Sequence, residues 1–103
     1  MLKIGGIYPN VIQGRQYVDI IIDHSDLSNE HFNVYTLQMA SEIISRKDVL
    51  NILADQIRFQ ELILENFSIV SKWTFDHVMD GYVGQVPETD LDELRKMIEM
   101  RSE

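Results

Sequence analysis

The chain has 103 residues, with 17 Asp and Glu against 9 Lys and Arg, for a formal charge of −8 at pH 7. Hydrophobic residues make up 45% and charged residues 25%, a globular balance that excludes a disordered acidic tail. There is no cysteine, which excludes disulfides, thiolate nucleophiles and cysteine-ligated metals, and the longest aliphatic runs, such as Ile20-Ile21-Ile22, are too short for a membrane span or signal-peptide core. A single soluble domain over residues 1–103, cytoplasmic in location, is the expectation.

Residues 2–7 alternate in hydropathy and run into Tyr8-Pro9-Asn10, which reads as a turn. Residues 17–23 are a β-branched run and read as a buried strand. It ends at Asp23-His24-Ser25-Asp26, where short polar side chains compete for backbone hydrogen bonds. From His31 onward, Phe32 and Val34 alternate with Asn33 and Tyr35, which predicts a second strand paired antiparallel to the first. After Leu37 the period turns helical. Ala40, Ile43 and Ile44 share one face, and Asp48 is placed to cap a further helix carrying Val49, Leu50, Ile52 and Leu53. Arg46-Lys47-Asp48 is then a kink or a break between the two.

Residues 60–67 read as a short strand centred on Leu62-Ile63-Leu64. The next stretch matches two periods. Phe67, Ile69, Ser71, Trp73 and Phe75 alternate as in a strand, whereas Phe75, Val78, Met79, Tyr82 and Val83 form a helical stripe. The longer pattern assigns a helix over residues 69–83, ended by Gly81 and Gly84. Thr89, followed three residues later by Asp92, reads as a capping box. Leu91, Leu94, Met97 and Ile98 give the final helix its apolar face, with acids leading and bases trailing as the macrodipole favours. The class is α+β: a small antiparallel sheet of three to four strands packed against two to four helices.

Sites for covalent chemistry are sparse. His24 and His31 lie near Asp23, Ser25, Asp26 and Glu30, residue types that suit a divalent metal, yet their spacing fits a solvated hairpin loop better. Asp76, His77 and Asp80 read as a polar helix face, with no third ligand at helical spacing. Neither Gly5-Gly6 nor Gly81-Tyr82-Val83-Gly84 matches a phosphate-binding loop, and the nine bases are scattered, so neither cofactor nor direct nucleic-acid binding is expected. Without a credible catalytic constellation or a metal site, the expectation is that the chain is no enzyme.

The acids, by contrast, are concentrated. Residues 1–50 carry six acids and four bases, while residues 51–103 carry eleven acids and five bases. Two windows hold no Lys or Arg at all. Residues 16–32 contain Asp19, Asp23, Asp26 and Glu30, and residues 73–94 contain Asp76, Asp80, Glu88, Asp90, Asp92 and Glu93. The second also holds Trp73, Phe75, Tyr82 and Pro87. Solubility alone accounts for such charge in many small proteins. A surface complementary to a basic partner is the functional reading, with an aromatic residue as its anchor.

Four strings carry a resemblance: Phe32-Asn33-Val34, Leu62-Ile63-Leu64-Glu65-Asn66-Phe67, Tyr82-Val83 and Asp92-Glu93-Leu94. In their order and spacing over residues 30–100 the chain resembles small immunity proteins of polymorphic-toxin and contact-dependent growth inhibition systems. It departs from them at Met39-Ala40-Ser41-Glu42, where Thr-Pro and a tryptophan are usual, and in having no tryptophan near the C-terminus. The resemblance implies an antitoxin that occludes a cognate toxin, here a basic nuclease domain, without membrane or cofactor. On that reading Asp76, Asp80, Tyr82, Glu88, Asp90, Asp92 and Glu93 face the partner, while Trp73 serves equally well as core. The alternatives are a phage-encoded inhibitor of a host defence or transcription protein, a small metal protein or enzyme using His24, His31 or His77, and a structural or adaptor subunit. The sequence leaves the oligomeric state open.

Overall fold

The computed structural model describes residues 2–25, 29–75 and 81–101. Its elements are β1 (Gly6–Ile12), β2 (Arg15–His24), β3 (His31–Gln38), α1 (Arg46–Arg58), β4 (Phe67–Ser71), β5 (Gly84–Gln85) and α2 (Glu88–Arg101). The strands form one antiparallel sheet in the order β4-β3-β2-β1-β5. The α+β class is as expected, with two helices, but the five strands exceed the expected three to four.

β2 is the central strand, and its pleat sorts the core into two layers. Val18, Ile20 and Ile22 join Leu37, Val49, Leu53, Leu91 and Leu94 on the face that carries both helices. Ile21 turns to the other face, where it meets Tyr8, Phe32, Val34 and Phe75. A strand buried on both sides is built from β-branched residues, which Val18, Ile20, Ile21 and Ile22 supply on either side of the buried Asp19. A bulge between Ile21 and Asp23 lets Asp23 pair with Asn33, whose amide donates to the Asp23 carboxylate at 2.7 Å. The β2–β3 pair forms as the alternation predicts.

Other expectations are corrected. Tyr8-Pro9-Asn10 does not turn but continues β1. Met39 N donates to Gln16 O, so Gln16, Val18 and Ile20 direct their backbone groups towards β3, and Tyr17 and Asp19 direct theirs towards β1. Their partners on β1 are Asn10 and Tyr8, which leaves Pro9 facing away from β2, where a missing N–H breaks no ladder bond. The reversal comes later, at Gln13-Gly14, where φ values of 53° and 78° provide the left-handed pair of a two-residue hairpin turn.

Ala40, Ile43 and Ile44 are not helical; Met39 enters the core and Ile43 is 84% exposed. Asp48 is not the cap of α1 but a first-turn residue whose N–H is capped by the Ser45 hydroxyl at 3.2 Å, so Arg46-Lys47-Asp48 opens the helix. Of the strand expected at residues 60–67, residues 60–66 are a loop and a 3-10 turn, Leu64–Asn66, and Phe67 alone is extended, as the start of β4. The helix expected at residues 69–83 is overturned throughout its described part. Residues 67–71 are β4, Lys72–Phe75 is a 3-10 turn, and Val83 is extended, its N–H bonded to Ile7 O. Phe75 and Tyr82 therefore never share a helical stripe, and Trp73 is 68% exposed rather than core. Thr89 is no cap either. It lies inside the first turn of α2, and the Pro87 carbonyl accepts the N–H groups of Asp90 and Leu91.

Candidate partner-binding surface

Leu91 and Leu94 anchor α2 to the sheet and leave its acidic start facing solvent. Glu88 and Asp92, four residues apart, meet on Arg95, whose guanidinium lies 2.5 Å from the first carboxylate and 3.2 Å from the second. The same guanidinium reaches Ile22 O at 3.3 Å, beside the bulge of β2, and so ties the helix to the strand. The hydrogen bond that Arg95 donates to Glu88 is the main reason its pKa is raised. Glu93 pairs with Lys96 at 3.2 Å. Asp90 is half-buried, and burial, followed by the nearby Glu93 charge, raises its carboxyl above the usual range. Two carboxylates on one guanidinium leave a surplus negative charge on a fixed helix.

Tyr82 precedes β5. Its ring packs on Tyr8 with centroids 5.6 Å apart, beneath the Lys3 ammonium at 4.9 Å, and its hydroxyl donates to Gln85. Tyr8 belongs to the layer opposite the helices, while Gln85, the partner of the Tyr82 hydroxyl, stands three residues before Glu88. Asp76 and Asp80, the remaining candidates, lie outside the described residues, as do Asp26 and His77.

His24 and His31 end up on different strands, and the His24 ring lies 4.9 Å from that of Phe32. Among the described residues no group of three or more His, Asp or Glu is placed to hold a metal ion. A cleft of about 290 Å³ between residues 39–43 and α1 is lined mainly by Met39, Ile43 and Ile52, with Ser41, Asp48 and Asn51 as its polar members. No described helix is long and apolar enough to cross a membrane.

Sequence reasoning placed Asp19 in an acidic window without seeing that it is buried. It is 8% exposed at mid-sheet, and its two oxygens accept from Asn10 Nδ2 at 3.0 Å and Thr36 Oγ1 at 2.7 Å. Burial outweighs these two bonds and raises its carboxyl pKa. The available signal was an acid set inside the apolar run of residues 18–22. Comparison with protein families, with curated proteins and with solved structures finds no match for this chain.

Proposed function

We propose that this chain is a non-catalytic inhibitor of the immunity-protein kind, a cytoplasmic antitoxin that neutralises a cognate toxin by steric and electrostatic occlusion. The partner is a protein with a basic surface, a nuclease domain being the chemistry that best fits; no nucleic acid, membrane or cofactor takes part. The observation that supports the reading is the acid-rich start of α2, where Glu88 and Asp92 compete for Arg95 while Asp90 and Glu93 flank them. A helix held by two buried leucines presents these groups with little freedom left to lose on binding. A cationic groove approaching it is steered by the surplus charge, and its own Arg or Lys can replace Arg95 or Lys96 on a carboxylate.

The test is co-expression with the toxin candidate encoded beside this chain. A large protein ending in a compact basic domain, lethal alone and harmless with this chain, is the expected partner. Reversal of Asp90, Asp92 and Glu93 to lysine, in a variant with unchanged circular dichroism, then weakens binding at least about tenfold and flattens its salt dependence. Unchanged affinity and salt dependence would remove α2 from the interface, and failure to protect against any such partner would overturn the reading.

A further inference from the structure

The sheet has two edges, and only one is guarded. At the β5 edge Arg46 Nε donates to Gln85 O at 2.8 Å, and the Arg46 side chain lies across Gly84, where an added Cβ would meet its Cδ. Pro9 removes an N–H from the outer side of β1, and Pro87 follows closely after β5. Short strands, prolines and long cationic side chains are the usual protection against edge-to-edge pairing. Within β4 itself, Phe67-Ser68-Ile69-Val70-Ser71, there is neither proline nor a cationic side chain nor any other charge, and its pairing with β3 has no bulge.

Hydrogen-bond parity shows what that edge offers. Lys72 N donates to Glu30 O at 2.7 Å, so Val70 and Ser68 are the residues that bond to Phe32 and Val34. Ile69 and Ser71 direct their backbone groups away from β3. Ile69, at the midpoint, is also 51% exposed. The strand is bracketed by Glu65 on one side and Lys72 on the other, both exposed, and neither forms an ion pair among the described residues.

We propose that β4 is the surface by which two copies of this chain associate, antiparallel about a two-fold axis at Ile69, to give one continuous ten-stranded sheet. The axis places Ile69 opposite its own copy, exchanging two backbone hydrogen bonds, and sets Ser71 opposite Phe67 of the second copy. The Phe67 N–H is already donated to Leu64 O, so the outer pairs use the Ser71 N–H. Charge selects a second copy as the occupant. An antiparallel two-fold brings the Glu65 end of each strand to the Lys72 end of the other, so the bracket is complementary to itself. Two strands of five residues make a small interface, and the dimer is therefore concentration-dependent.

Sedimentation of the full chain from micromolar to submillimolar concentration tests this. The mass is expected to rise from the 12.0 kDa of one chain towards twice that value. Ile69→Lys, at a half-exposed side chain, sets two ammonium groups on the axis and weakens association at least about tenfold. Glu65→Lys and Lys72→Glu each weaken it alone, and the double swap restores it. In the wild-type chain the amides of Ile69 and Ser71 gain protection from hydrogen exchange as concentration rises, a reading that needs no variant. The proposal is overturned by a mass fixed at 12.0 kDa throughout, by an Ile69→Lys variant that associates like the wild type, or by a double swap that stays monomeric. None of these results bears on toxin protection, which rests on α2.

Discussion

Asp19 is the residue whose setting departs most from its sequence surroundings. Its neighbours on β2 are apolar and buried, and its only described partners are the neutral Asn10 and Thr36. The folded carboxyl therefore has a pKa above its ordinary value of 3.8. Between the unfolded and folded values the native state holds a proton that the unfolded chain has released. The contribution of this group to stability is full below the unfolded pKa and is lost as pH rises through the folded pKa. Asp19→Asn removes that loss. The new amide keeps an oxygen for Thr36, and Asn10 meets it by flipping its own amide. Thermal melts from pH 4 to neutrality are expected to show a higher midpoint for the variant at pH 7 and a shallower pH dependence. Each kcal/mol gained is worth about 4–8 °C in a domain near this size. A midpoint below wild type at pH 7 would mean that the two hydrogen bonds favour the carboxylate more than burial opposes it.

Among the elements, those whose periodicity matched their burial were legible in the sequence. β2, β3 and the apolar face of α2 were readable because one simple pattern, continuous or alternating, coincided with the surface each buries. The hairpin at Gln13-Gly14 was missed because Gln is an uncommon residue at positive φ and Pro9 offered a stronger turn signal nearby. Residues 69–83 do not form the expected helix in their described part, because Phe75 closes a 3-10 turn and Val83 is extended; the competing alternation from Phe67 holds only as far as Ser71, where β4 ends. The paired state of Glu88, Asp92 and Glu93 was implicit in their spacing to Arg95 and Lys96, but counting base-free windows stopped at Leu94 and hid it. Cap chemistry is the element-level term most open to measurement. Ser45 supplies the side-chain cap at the start of α1, so Ser45→Ala is expected to cost about 1 kcal/mol in urea unfolding. The cost should appear with an unchanged m-value, since the area exposed on unfolding is the same. A change below about 0.3 kcal/mol would show that the start of α1 is held by tertiary packing alone.

At the scale of the whole molecule, charge is arranged across the helical face of the sheet. α1 carries three bases and two acids, whereas α2 carries five acids and three bases, and the two helices lie on the same side of β2. A basic protein approaching that face is drawn to the α2 end and turned away from α1, so the field orients the encounter as well as accelerating it. Arg95 limits this effect by occupying two carboxylates at once. Arg95→Gln releases Glu88 and Asp92 and makes the start of α2 more negative. The stability lost with partly exposed ion pairs of this kind is small, about 0–1 kcal/mol. Stopped-flow association with a basic partner is then expected to be faster for the variant at low salt. The advantage disappears as added salt shortens the Debye length to about 3 Å near 1 M. Equal rates at every ionic strength would mean that α2 does not guide the encounter, and the function would have to be sought on another surface of the sheet.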